Sequence, residues 1–289
     1  MDIRAILMGL AFAFAWSSAF TSARIIVTDA PPLTALMLRF VFSGVIALCL
    51  ARVRGESFQL TKDQWRATII FGLCQNALYL GLNFVAMQTV EASVAAIVAS
   101  TLPLLVALFI WLFYRERMPA LGLIGLLAGF AGVILILGAR LSGDIDLFGV
   151  GLTLIGVLAL TIATLLLRGA VSGGNILTVV GLQMFVGAAI LSIFAFPMET
   201  WEVNWSGRLI AAFAYTTIVP GVLATWIWFL LVDRIGATRA ATFHFLNPVF
   251  GVAIAVVLLG ETFGPLDVTG VVIVTAGILA VQLSKQAMR

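Results

Sequence analysis

Of the 289 residues, 62% are hydrophobic and only 10% charged, and the mean hydropathy is +1.17. Soluble domains carry roughly 45–50% apolar and about 25% charged residues, so this chain cannot clothe itself in polar surface and needs lipid as its solvent. Sixteen Lys and Arg against thirteen Asp and Glu give no case for a nucleic-acid partner. Cys49 and Cys74 lie inside apolar runs and read as packing residues rather than a disulfide framework.

A bilayer core about 30 Å thick is crossed by about 20 apolar residues at a rise of about 1.5 Å each. Ten segments meet this requirement. They are Ala5–Ser22, Leu33–Ala51, Ala67–Gln88, Ala92–Phe113, Ala120–Gly138, Leu147–Leu167, Ile176–Phe196, Leu209–Val232, Arg239–Leu259 and Leu266–Leu283. The first, with Arg4 before it and small residues around Ser22 and Ala23, has the look of a cleaved leader. It is kept because the repeat described below needs it. Alternation of polarity is absent, which excludes a transmembrane β-barrel. The predicted class is an all-α polytopic membrane protein of ten transmembrane helices. The longest connection, Arg52 to Arg66, has no room for a soluble domain.

Trp16 falls near the middle of the first segment, where it either stacks on an apolar or ammonium group or simply packs. Arg39 should lie about 9 Å inside the second. A clamp on carbonyls or a carboxylate is the leading reading there, and contact with a substrate carboxylate the other. In the third segment Gly72, Asn76, Tyr79 and Asn83 form one helical stripe, with Gln75 beside it. Lipid cannot satisfy an amide, so this stripe faces a polar cavity or bonds to another helix. Pro103, Pro220 and Pro248 predict kinks in the fourth, eighth and ninth segments. Gln183 in the seventh is a further cavity candidate. Trp226 and Trp228, two residues apart, face different ways, so at most one reaches a cavity; Trp226 is the candidate and Trp228 is assigned to lipid. The ninth segment carries His244, the sole histidine, and Asn247. His244 either responds to protons or is a hydrogen-bonded structural imidazole. Glu116 and Glu261 stand just before the fifth and tenth segments, where the simplest role is to satisfy the amides that open those helices.

Basic residues near the segment ends set the orientation. Twelve lie on the side of the termini (Arg4, Arg52, Arg54, Lys62, Arg66, Arg115, Arg117, Arg168, Arg234, Arg239, Lys285, Arg289) and three on the other (Arg24, Arg140, Arg208). Both termini are therefore expected in the cytoplasm, with Trp201 and Trp205 in an aromatic belt at the outer interface.

A shift of 145 residues aligns Phe84 with Phe229, Ala92 with Ala237, Pro103 with Pro248 and Glu116 with Glu261. The same shift pairs Leu121 with Leu266, Gly125 with Gly270, and Gly132 with Gly277. Each half, 1–144 and 145–289, thus holds five helices, and an odd number obliges the second copy to enter the membrane from the opposite side. Inverted repeats of this kind characterise carriers that alternate access about a midplane site.

The passage from Tyr79 to Gly132 resembles the EamA-type half of the drug/metabolite transporter superfamily, on Phe84, Ala92–Ala96, Pro103, Glu116 and the Gly125/Gly132 pair. The second half repeats the marks as Trp226, Ala237–Ala241, Asn247-Pro248, Leu259-Gly260-Glu261 and Gly270/Gly277. Trp16 and Arg39 also match the family, and the likeness covers nearly the whole chain. It implies a ten-helix carrier of small metabolites in a bacterial-type inner membrane. Its overall similarity to the YddG-type amino-acid exporters implies an amino acid as substrate, aromatic or otherwise apolar. None of the thirteen acidic residues falls within the middle of a span, which argues against a carboxylate proton relay and for facilitated export, with His244 as the alternative coupling group. No nucleotide motif, cofactor or metal cluster is found. The competing readings are a carrier of sugars or cationic drugs on the same fold, a membrane-embedded enzyme, and a receptor or channel. Two halves fused in one chain predict a functional monomer.

Overall fold

The computed structural model of the chain describes residues 3–115, 118–140, 146–166, 175–235, 240 and 243–287. Among them nine helices are long and apolar enough to cross a membrane, and a tenth apolar helix, Phe243–Leu259, is shorter. In chain order they are α1 (Ile3–Asp29), α2 (Pro32–Val53), α3 (Lys62–Ala86), α4 (Ala92–Phe113) and α5 (Ala120–Arg140). The second five are α6 (Leu147–Leu166), α7 (Ile176–Met198), α8 (207–235), α9 (Phe243–Leu259) and α10 (Pro265–Ala287). The protein is an all-α polytopic membrane protein.

Two helices are longer than their sequences suggest. α1 continues past Ser22 to Asp29 because Arg24, which reads as a boundary, donates to the Met87 carbonyl. α3 starts at Lys62 rather than Ala67 because Thr61 and Gln64 form a capping box, with reciprocal bonds of 3.2 and 3.0 Å.

Four spans are interrupted, and the interruptions obey the repeat. α3 carries a π-helical stretch at Gly72–Leu80 and α8 one at Val219–Leu223. Subtracting 145 from 219 and 223 gives 74 and 78, inside the first stretch. α4 breaks at Ser100-Thr101 before its second piece opens at Leu102. In α9 a 3₁₀ turn, Phe243–Leu246, precedes the α-helical part that begins at Asn247, the repeat mate of Leu102. Pro103 and Pro248 lie at the second residue of the piece that follows each break, and Pro220 at the second residue of the π-helical stretch itself, positions where a missing N–H is tolerated. α3 has no proline; Gln75 occupies the position that Pro220 holds in α8.

The chain forms two compact units, each built from both halves of the sequence. The first comprises 1–21, 90–147 and 227–289. Within it α5 and α10 meet through glycines. A Cβ on Gly125 would stand 2.8 Å from the Gly277 carbonyl, and one on Gly277 would stand 2.6 Å from the Gly125 carbonyl. Gly132 and Gly270 repeat the arrangement at 2.9 and 3.0 Å. Since Gly270 is the mate of Gly125 and Gly277 the mate of Gly132, each contact is converted into the other by exchanging the copies, as a two-fold relation requires. Without a hydrophobic drive between helices in lipid, such close approach supplies the packing energy.

The second unit comprises 22–89 and 148–226. Here α2 and α7 cross at Gly44 and Gly181, with Cβ-to-carbonyl distances of 3.2 and 3.1 Å. α3 lies against α7 at Gly72 and Gly187, and against α6 at Gly156.

Helix N-termini are closed by carboxylates from antiparallel neighbours. Glu199, one residue past α7, accepts from Leu33 N at 2.8 Å and Thr34 N at 2.7 Å, opening α2. Glu56, just past α2, accepts from Thr178 N at 3.0 Å, opening α7. Leu33 and Thr178 differ by the same 145 residues (178 − 33). In the first unit Glu261, just past α9, accepts from Ala92 N at 2.8 Å and Ser93 N at 3.1 Å. This corrects the expectation for Glu261: it caps α4, and Asp267 instead receives the Gly264 amide at the start of α10. The helix nearest in sequence is not the one whose free amides it reaches. Glu116 lies outside the described residues.

A left-handed residue precedes the carboxylate in two of these caps. Gly55 (φ 71°) precedes Glu56 and Gly260 (φ 68°) precedes Glu261. At the mate position Arg115 adopts φ 52° before Glu116, the only positive φ on a non-glycine among the described residues.

Gly277→Ala is expected to lower the stability of the detergent-solubilised protein by about 1–3 kcal/mol through overpacking, read as a fall in thermal midpoint. Gly151→Ala, with nothing within 4 Å of the new methyl, serves as the neutral comparison. Arg115→Gly should raise the midpoint, because relieving the left-handed backbone of a residue that carries a Cβ recovers about 1 kcal/mol.

Candidate functional site

In the first unit the 3₁₀ turn within α9 organises a cluster. Proline at 248 cannot donate to the carbonyl four residues back, and the chain answers with the 3₁₀ turn 243–246. That turn sets His244 and Asn247 three residues apart on one edge, with Asn247 Nδ2 2.9 Å from His244 Nδ1. When the amide donates, Nδ1 is the acceptor and the imidazole proton sits on Nε2. The Asn247 carbonyl accepts from Ser17 Oγ on α1 at 3.2 Å.

Three aromatic rings surround this pair. Phe12, Trp16 and Trp228 have ring centroids 5.2, 6.4 and 5.1 Å from that of His244, with interplanar angles of 85°, 89° and 60°. Phe12 and Asn247 are buried, whereas Trp16, Trp228 and His244 are half-buried. Trp228 therefore does not face lipid as its spacing suggests; it packs on Phe12 at 4.8 Å. Trp226 lies elsewhere, in the second unit, under the Arg54 guanidinium at 5.7 Å.

In the second unit the polar stripe of α3 is buried as expected: Asn76 is 2%, Tyr79 3% and Asn83 1% exposed. Asn76 Nδ2 donates to the Gln183 carbonyl on α7 at 2.8 Å, so this amide nitrogen bonds helix to helix. Asn83 Nδ2 donates to the Tyr79 carbonyl at 2.7 Å, while its Oδ1 is buried without a partner. Arg39, 4% exposed, donates from Nε to the Thr216 carbonyl at 3.2 Å, and Ser43 Oγ donates to the Thr217 carbonyl at 3.0 Å. Thr216 is four residues before Pro220, so Arg39 serves the carbonyl that the proline deprives of its donor. The guanidinium also lies over Phe40 at 5.4 Å. In both cases the π-helical stretch is thereby tied to a neighbour that runs parallel to it, α3 to α7 and α8 to α2.

The structure thus gathers Trp16, His244 and Asn247 in one unit, and Arg39, Asn76, Tyr79, Asn83 and Gln183 in the other. Sequence reasoning missed Phe12 and Ser17, whose signal was their place one turn before Trp16 and beside it. It also missed Glu56 and Glu199, whose signal was a glutamate just beyond a span.

Apolar spans with buried amides, interrupted helices and paired packing glycines define a polytopic membrane transporter. Residues 3–138 and again 147–283 match EamA, the EamA-like transporter family, and the chain belongs to that family. Its small-molecule substrates cross the bilayer through members of this kind. Relatives extend over nearly the full length. YvbV of Bacillus subtilis, described as an uncharacterized transporter, is 24% identical, covering 95% of this chain and 90% of that one. YedA of Escherichia coli K12, an uncharacterized inner membrane transporter, is 28% identical, covering 93% and 88%. A transporter of Archaeoglobus fulgidus is 25% identical over 92% and 94%. A crystal structure aligned over 100% of both chains, at 20% identity and a TM-score of 0.67, shares the fold.

Arg39→Met is expected to destabilise the protein by about 1–3 kcal/mol, the cost of stranding a buried carbonyl, and to leave substrate Kd unchanged. Thermal denaturation and equilibrium binding read the two effects separately; a raised Kd would instead assign the guanidinium to substrate.

Proposed function

We propose that this transporter exports amino acids with aromatic or other apolar side chains. The observation that carries the reading is the chemistry of the two clusters. They combine aromatic rings, neutral amides and a single clamped cation, Arg39, with no carboxylate among their residues. A zwitterion with an apolar side chain is electrically neutral as a whole and offers both donors and acceptors, so it suits such surroundings better than a polyanion or a polyol. Trp16, His244 and Asn247, with Trp228 added, are the proposed contacts within the first unit; Asn76, Tyr79, Asn83 and Gln183 are the proposed contacts within the second, with Trp226 retained as a peripheral one.

The mechanism in this reading is alternating access between two inverted repeats, 1–144 and 145–289, acting in a monomer. The protein resides in the inner membrane with both termini in the cytoplasm, as the distribution of basic residues argues. Substrate runs down its gradient, since no carboxylate lies in the described part of either cluster. The aromatic cluster also suits organic cations, and that is the second reading.

Counterflow into proteoliposomes with amino acids, sugars and organic cations tests both. Labelled phenylalanine or leucine should accumulate when the same compound is loaded inside. Accumulation of sugars or of quaternary cations, with none of any amino acid, would refute the proposal.

A further inference from the structure

Asn247 is 6% exposed, and its Oδ1 is buried without a hydrogen-bond partner. The amide cannot turn freely to find one, because its nitrogen is engaged with His244 Nδ1 at 2.9 Å and its backbone carbonyl with Ser17 Oγ at 3.2 Å. A buried amide oxygen without a donor is unfavourable and calls for an explanation, of which a ligand that supplies the donor is one. Around His244, the partner of this amide, lie the rings of Trp16 and Trp228, half-buried and so not wholly consumed by packing, with Phe12 against both.

An unfilled acceptor held by His244 within a cluster of two indoles selects for a particular group. A carboxylate is repelled by the electron-rich ring faces and by the amide oxygen. A hydroxyl fills the acceptor but gains nothing from the rings. An ammonium donates to the oxygen and is drawn to the faces of tryptophan, the strongest cation–π partner. No carboxylate is needed to balance it when the substrate brings its own.

We infer that the Trp16–Trp228–Asn247 cluster is the subsite for the ammonium group of the substrate, with Asn247 Oδ1 accepting its N–H. This rests on the assignment of Trp16 and Asn247 to the substrate path made above. It adds which part of the substrate the first unit recognises and brings in Trp228.

Tryptophan fluorescence of the purified full-length protein tests it with four related ligands: phenylalanine, phenethylamine, N-acetylphenylalanine and phenyllactate. Phenylalanine and phenethylamine should bind, and the two compounds lacking an ammonium should bind at least about tenfold more weakly, as loss of a charged hydrogen bond implies. Asn247→Leu should raise the Kd of phenethylamine by at least about tenfold. Asn247→Asp keeps the shape and should bind phenethylamine at least as tightly as the unaltered protein, which separates recognition from damage to the fold. Equal binding of N-acetylphenylalanine or phenyllactate, an unchanged Kd in Asn247→Leu, or no binding of any ammonium compound would overturn the inference. Binding of phenethylamine without phenylalanine would sink the amino-acid reading while leaving the ammonium subsite standing.

Discussion

Hydrocarbon offers no hydrogen-bond partner, and every backbone amide and carbonyl that a helix does not satisfy internally must find one in the protein. In this chain the unsatisfied groups arise at helix ends and at the breaks and bulges, and side chains from other helices supply the partners. Glu199 and Glu56 serve the amides that open α2 and α7, and Glu261 those of α4. Arg39 and Ser43 serve the carbonyls before Pro220, and Ser17 the carbonyl of Asn247. Each bond meets a local need and at the same time fixes which helix lies beside which.

The same solution is used twice. A residue in the left-handed conformation turns the chain at the end of α2, α4 and α9, and a glutamate follows each of them. Glycine supplies that conformation without strain at 55 and 260, whereas Arg115 adopts it at a cost. The α5–α10 contact is made of glycines that exchange roles between copies. Gly125 and Gly132 approach Gly277 and Gly270 in the same reciprocal way, so each contact has its counterpart 145 residues on.

Interrupted helices have a consequence for chemistry. A continuous helix in lipid presents only side chains, whereas a break or a bulge exposes carbonyls and re-aims the residues around it. His244 and Asn247 owe their mutual geometry to the 3₁₀ turn before Pro248, and Asn76 sits within the π-helical stretch of α3. Transporters use discontinuous spans in this way to place polar groups at the depth where substrate must be held. The second unit shows the other use of the same polarity. Its Asn76 nitrogen and Arg39 Nε go to backbone carbonyls, so part of what looks like a binding surface serves the joints between helices.

Composition and periodicity by themselves determined the spans and the buried face of α3, because the need for lipid and the 3.6-residue turn act on neighbouring residues. They also marked the sites of the breaks and bulges in α4, α8 and α9, since proline acts within its own turn. The tertiary structure alone decided that Glu261 serves α4 rather than α10, that Trp228 and not Trp226 joins the aromatic cluster, and that Arg39 meets Thr216. Those choices depend on the axial register and rotation of helices far apart in the chain, with Ala92 and Glu261 separated by 169 positions and Arg39 and Thr216 by 177. A pattern read along one helix carries no information about the register of its neighbour.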